Sequence, residues 1–321
     1  YSSAASDVYK RQTIIVTADD FSSNPVSASC EIGVKIVTPI TGMTFTEDTE
    51  LNQLGYGQEY QIKYTLEPVD ATASLLTWAS DNPEVISVDK TGKLKVHTTK
   101  TASAVITASY GPVVQNVTVT VADGRFWYSL GNGLGNGLDN NWYLDGNNAS
   151  VVSSDGNKTT VQMGSGYRGD LWLARSGKGK IVNVTPADYR YFAIKVGFKS
   201  QLVPGKNKPN GCIKLEIFDD GIKKIGPEYF GTGGDANNRY EILGASEIST
   251  TEPNVLYYDL QSKYKTVTPT DWNQVFDLVQ CKFVIADFPE TAQTYDLYWI
   301  RSFKSIEELQ AFVDSENNTN E

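Results

Sequence analysis

Residues 77–92 read TWASDNPEVISVDKTG, and this stretch leaves little freedom in what the chain can fold into. A Trp is followed by an Asp-Asn-Pro turn, a short β-branched run and a Thr-Gly turn. Turn residues recurring about every ten positions between short apolar runs predict a β-sandwich. Around this stretch, residues 57–66 alternate cleanly, with Tyr60, Ile62, Tyr64 and Leu66 on one face. Pro68-Val69-Asp70 turns the chain, Leu76 and Trp78 share a face with Trp78 as core anchor, and residues 105–108 and 117–121 supply closing strands.

Composition agrees. The 321 residues include 18 Tyr, 12 Phe and 6 Trp but only one His, and Gly, Thr, Ser, Asn and Val suit short strands and tight turns. No apolar run approaches a membrane span. The net charge of -10 argues against a nucleic-acid partner and against an anionic membrane surface. Cys30, Cys212 and Cys281 make no disulfide framework; Cys212 and Cys281 sit in apolar runs, where they are either buried thiols or a pair. His97 ends a run whose Leu94 and Val96 point inward, so it is expected at the surface, and one histidine builds no zinc site.

The segment 40–121, from the Glu67-Pro68 turn through Trp78, Val88-Asp89 and Thr91-Gly92, resembles a bacterial Ig-like group 2 domain, which implies an extracellular spacer. It departs from that pattern near Lys100-Thr101, where a glycine commonly precedes the penultimate strand. Residues 13–37 resemble the last hairpin of a preceding domain of this kind. Residues 2–12, SSAASDVYKRQ, resemble the translated end of a transposon-based sequencing adapter. That implies a non-native segment fused to a truncated metagenomic fragment, and such segments are set aside from fold reasoning.

The expected division is therefore 1–12 adapter-derived, 13–38 domain remnant, 39–122 Ig-like domain, 123–314 a jelly-roll domain and 315–321 a disordered tail. Ala122-Asp123-Gly124 is the expected linker, short enough to hold the domains close. Strands are expected at 159–163, 170–174, 191–198, 212–218, 255–260, 281–286 and 295–303, as two packed antiparallel sheets. Ser305 and Glu308 form a capping box for a final helix with Ile306, Leu309, Phe312 and Val313 as its apolar stripe. The fold class is all-β with one short C-terminal helix.

The ending YDLYWIRSFKSIEELQAF, with YRYFAIK at 189–195 and LYYDL at 256–260, resembles the terminal strands and helix of carbohydrate-binding modules in Bacteroidetes outer-surface glycan-binding lipoproteins. The resemblance implies a non-catalytic, monomeric glycan binder of a polysaccharide-utilisation system. It would sit at the outer face of the outer membrane beside a transporter, with its anchor upstream of this fragment.

Saccharide capture needs flat aromatic faces for sugar C–H surfaces and planar polar groups for the hydroxyls. The richest cluster is Trp127, Tyr128, Asn140, Asn141, Trp142 and Tyr143, in a Gly/Asn-rich stretch where Trp142 is either a ligand platform or a core residue. The second is Tyr167, Arg168, Asp170 and Trp172. With Leu171 and Leu173 in the core, Trp172 and Asp170 are expected on the open face of the sheet. Trp272 and Trp299 read as packing residues. Asp235 and Asn237, in a Gly-rich loop with oxygen ligands, are candidates for a structural Ca²⁺, without a defining spacing. No cofactor is expected.

Glu216, Glu228, Glu241 and Glu247 lie in no glycosidase motif, a Ser-His-Asp arrangement has no suitable histidine, and the glycines of 131–137 lack the lysine of a phosphate loop. Two other readings remain at this level: a surface adhesin or stalk that binds a protein partner, and an accessory fragment of a glycoside hydrolase.

Overall fold

A computed structural model describes residues 9–18, 26–35, 37–139, 141–145, 149–164, 168–175, 177–178, 181–203, 213–219, 240–261, 271–286, 289 and 293–319, with backbone only for 9–18, 26–35, 168 and 319. The chain opens with a two-stranded antiparallel ladder of β1 (Tyr9–Ala18) and β2 (Val26–Lys35). The expected hairpin is present, and its pairing reaches back through Tyr9 into the adapter-like segment.

The first domain comprises β3 (Gly42–Phe45), β4 (Leu54–Tyr56), β5 (Glu59–Gln61), β6 (Tyr64–Glu67), β7 (Thr77–Ser80), β8 (Ile86–Val88), β9 (Lys93–Val96), β10 (Ala102–Tyr110) and the first part of β11 (Val113–Ser129). Alternation decides its core: Ile62, Ile86, Leu94, Val96, Ile106, Val119 and Val121 are buried together. Trp78 packs partly buried between Phe45 and Tyr64, the anchor role expected of it. His97 is half-buried and not simply a surface residue: its Nε2 lies 2.8 Å from Ser87 Oγ, and burial draws its pKa down.

The expected linker is no break in structure. Ala122, Asp123 and Gly124 lie inside β11, which leaves the first domain and enters the second as one strand. Gly124 takes φ +66°, and a β-carbon there would overlap Thr185. β4 runs parallel to β11 across this junction, paired at Val121 and at Phe126. Arg125 pairs with Glu50 at 2.8 Å, Thr99 Oγ1 donates to Asn183 Oδ1 at 2.6 Å, and Tyr56 of the first domain is buried in the core of the second. The two domains share an interior, because strand continuity and apolar rings both cross the seam.

The second domain is a sandwich of two antiparallel sheets, as expected. Its strands are β12 (Tyr143–Leu144), β13 (Ser150–Ser154), β14 (Thr159–Gln162), β15 (Arg168–Ala174), β16 (Val182–Val184), β17 (Tyr191–Phe198), β18 (Lys214–Asp219), β19 (Glu241–Ile242), β20 (Asn254–Asp259), β21 (Phe276–Ala286) and β22 (Thr294–Phe303). One sheet runs β19-β20-β17-β22-β11, with β14 and β13 continuing from β22. The other runs β12-β15-β21, with β16 and β18 also on β21. Phe192, Ile194, Tyr258, Tyr295 and Ile300 of the first meet Leu171, Leu173, Leu215, Cys281 and Phe283 of the second in one core. Cys281 is buried there, and Cys212 lies outside the described residues.

Helix α1 (Ile306–Thr319) lies on the outer face of the larger sheet, with Leu309, Phe312 and Val313 against Trp299, Phe303, Ala193 and Val255. Ser305 Oγ accepts from Glu308 N at 3.2 Å, and Glu308 reaches back to Lys304 N at 2.6 Å, one residue before the expected partner. The expected disordered tail from 315 is instead helix as far as Thr319. Glu316 anchors it: its carboxylate accepts from Trp299 Nε1 at 3.0 Å and pairs with Lys195 at 3.1 Å. No described helix is long and apolar enough to cross a membrane.

Candidate functional site

The expected tryptophan platforms are packed away. Trp142 is fully buried (0% exposed) between the two sheets, among Tyr128, Phe192 and Phe283. The glycine-rich stretch makes this possible by folding back, so that Gly135 N–H donates to the Trp142 carbonyl at 2.6 Å and Asn141 Oδ1 accepts from Trp142 N at 2.8 Å. Trp142 is therefore core and not a ligand platform.

Trp172 corrects the expectation differently. Alternation is right: Leu171 and Leu173 are in the core, and Trp172 with Asp170 points to the other side of the sheet. Yet Trp172 is only 8% exposed and Asp170 7%. The Lys282 ammonium sits 4.4 Å from the centre of the indole ring and the Arg175 guanidinium 5.0 Å. Lys282 bridges Asp170 at 3.1 Å and Glu216 at 2.8 Å, and Lys214 also pairs with Glu216. Cross-strand register builds this cluster, with Trp172 and Glu216 both opposite Lys282. At this burial the ring has almost no face left open to a sugar.

The remaining candidates scatter. Tyr143 is half-buried and is Trp172's partner across the β12–β15 ladder, so Tyr143, Asp170 and Trp172 do come together. Trp127 lies half-buried on the outer face of the larger sheet beneath α1, with Arg125 and Arg301 each 4.4 Å from its ring and Phe312 at 5.3 Å. Asn141 is half-buried at the seam between the domains. Asn140, Tyr167, Asp235, Asn237 and the Arg168 side chain lie outside the described residues. Among the described residues no group of acids, histidines or cysteines is arranged to hold a metal ion.

A different aromatic surface is open. Between the last turns of α1 and the outer face of the larger sheet runs a groove of about 710 Å³, lined by Asn157, Lys195, Glu252, Tyr298, Glu316 and Asn317 with Pro253, Val255 and Val313. Tyr298 and Trp299 both pack on this outer face, because the β17–β22 register slips between Lys195 and Val196. Tyr298 lies across Gly197: a β-carbon there would stand 3.5 Å from Tyr298 Cε2 and 3.7 Å from its hydroxyl. These are ordinary van der Waals distances, so the ring rests along the sheet over position 197.

Polar groups surround the ring. The Lys195 ammonium is 5.6 Å from its centre. Burial raises the Tyr298 pKa, so at neutral pH the phenol both donates and accepts. Behind it, Lys158 at 2.8 Å, Lys199 at 2.7 Å and Thr160 Oγ1 at 2.7 Å hold the Asp296 carboxylate. Burial alone would raise the Asp296 pKa, but these donors outweigh it and the pKa falls. Aromatic ring, amides and charges of both signs in one concavity are what a polyhydroxylated ligand requires.

These groove residues escape the sequence reading because Tyr298 belongs to a strand whose neighbours are plainly core. The available signal is Gly197, a glycine inside a strand, beside which the ring packs.

No curated protein matches the chain. Among solved structures, the surface layer protein SbsC, domains 1-6, is 10% identical, covering 87% of this chain and 35% of that one, with a TM-score of 0.23. The CBM51-2 and INT domains of Clostridium perfringens ZmpB are 11% identical over 80% of this chain and 48% of that one, with a TM-score of 0.19. The chain thus spans less than half the length of either, and likenesses this loose carry no argument. Residues 133–309, which hold Tyr298 and most of the groove, match a family model, and the chain belongs to that family, described as Domain of unknown function (DUF4979).

Proposed function

We infer that this protein is a non-catalytic glycan-binding protein of the cell surface, which captures poly- or oligosaccharide in the Tyr298 groove. The observation that carries the reading is an aromatic ring laid along a sheet beside Asn157, Lys195, Glu252 and Asn317. A sugar ring presents C–H surface to the phenol and hydroxyls to the amides and charges. Binding and not hydrolysis is favoured by the commitment of Glu316 to Trp299, Lys195 and Arg301. A glycosidase needs two carboxylates available to the scissile bond, and here one of the pair is engaged elsewhere.

The likeness of the first domain to bacterial Ig-like spacers supports display at a cell surface, and the likeness of the ending at 295–312 to outer-surface glycan-binding lipoproteins supports a monomer of a polysaccharide-utilisation system beside an outer-membrane transporter. The net charge of -10 favours a neutral ligand over a polyanion.

Affinity gel electrophoresis tests this with hydroxyethylcellulose, xylan, galactomannan, yeast mannan and mucin in separate gels. Retardation of the wild type in at least one gel, lost in Tyr298→Ala, is the expected result. Unretarded migration in all five would end the saccharide reading.

A further inference from the structure

We propose that the saccharide surface continues from the Tyr298 groove, over the turn at Asn157, into a second cleft that the first domain helps to form. The protein would then take an extended stretch of polysaccharide instead of a chain end. This rests on the saccharide reading of the groove.

The second cleft, about 260 Å³, lies at the seam. The first domain contributes Glu59 and Lys95, and the second contributes Ser129, Asn132 and Asn141 over Tyr128. Cleft and groove are adjacent by direct contact. Ser129 faces Trp299 in the β11–β22 ladder, and Leu130 N–H donates to the Tyr298 carbonyl at 2.8 Å. Gly156 N–H donates to the Gly131 carbonyl at 3.0 Å, and a β-carbon at Gly131 would stand 2.7 Å from the Asn157 carbonyl carbon. Asn157 lines the groove and Asn132 lines the cleft, so one backbone contact joins their walls.

The chemistry is the same on both sides of that contact. Asn132 and Asn141 in the cleft, like Asn157 and Asn317 in the groove, present groups that both donate and accept. Glu59 and Lys95 bring opposite charges to the cleft, as Glu252 and Lys195 do to the groove. The cleft is balanced and the groove has one carboxylate beyond its single lysine, so neither draws a polyanion and both suit a neutral polyhydroxylated chain. The shared seam holds the two at a fixed spacing, so a chain that fills the first meets the second at high effective concentration. The Ig-like domain would be part of the receptor and more than a spacer.

The test uses the intact chain carrying Glu59→Gln with Lys95→Ala, in the same five gels. Both side chains are exposed, so the melting temperature should hold; Asn132→Ala, also exposed, is the second variant. In every gel that retards the wild type, we expect the double variant to be retarded about five-fold more weakly, as for the loss of one or two net hydrogen bonds. Tyr298→Ala should not be retarded at all. Wild-type retardation unchanged in both seam variants would overturn the extension and leave the groove reading in place. Absence of wild-type retardation in all gels would overturn both.

Discussion

Gly57 of the first domain lies against the ring of Tyr128 of the second, so closely that a β-carbon at position 57 would stand 2.3 Å from a ring carbon. Gly57 also takes φ +78°, a backbone state that disfavours any side chain. The seam is thus closed by a contact that only glycine permits.

Gly57→Ala should therefore cost about 3 kcal/mol, from backbone strain together with overpacking. Because Tyr56 sits in the core of the second domain, both domains should lose stability together in one urea transition. An unchanged urea midpoint would show that the seam yields freely.

Tyrosine and tryptophan variants should separate binding from folding. Trp142→Ala removes a fully buried ring and should cost about 3–5 kcal/mol. Tyr298→Ala, half-buried at the groove, should cost about 1 kcal/mol while abolishing saccharide retardation. Circular dichroism melts beside affinity gels check the pair, and a stable Trp142→Ala that has lost binding would reverse the assignment.

Lys282→Met should be strongly destabilising. It leaves Asp170 and Glu216 buried without the ammonium that bridges them, a loss of about 3 kcal/mol. Adding Asp170→Asn should recover part of it, since the remaining Lys214–Glu216 pair then balances the cluster. Urea midpoints in which the double variant is no better than the single would refute this account of the cluster.

Asp48 gives the first domain an acid-sensitive contact. Hydrogen bonds from Lys63 first, then from Tyr60 and from Glu50 N, hold its pKa at about 2, against 3.8 ordinarily. A carboxylate whose folded pKa is depressed adds stability that is fully present above its unfolded pKa and is lost as pH falls toward the folded one. Stability should decline more steeply from pH 3.8 to about 2 in the wild type than in Asp48→Asn. Parallel pH profiles for the two would remove Asp48 from the account.

Much of this was readable along the chain. Period-two alternation placed Leu94 and Val96 inside, set Leu171 and Leu173 opposite Trp172, and located the strands around Tyr191, Val255 and Tyr295 close to where they lie. The helix was legible from Ser305 and its apolar stripe. Strands such as β13, whose residues are all exposed, carry no such periodicity and went unseen.

Local pattern assigns a side chain to a face of its strand, because the pleat repeats every two residues. It does not say what lies against that face. Trp172 was placed on the correct side, but the cations beside it come from β21 and from the residue just past β15, over a hundred and about three positions away in sequence respectively. Trp142 became core because a glycine-rich turn folds back on it, and the supposed linker became the middle of a strand because β4 pairs across it. The Tyr298 groove exists only where a register slip, Gly197 and the end of α1 meet, and contacts between residues distant in sequence are settled by packing alone.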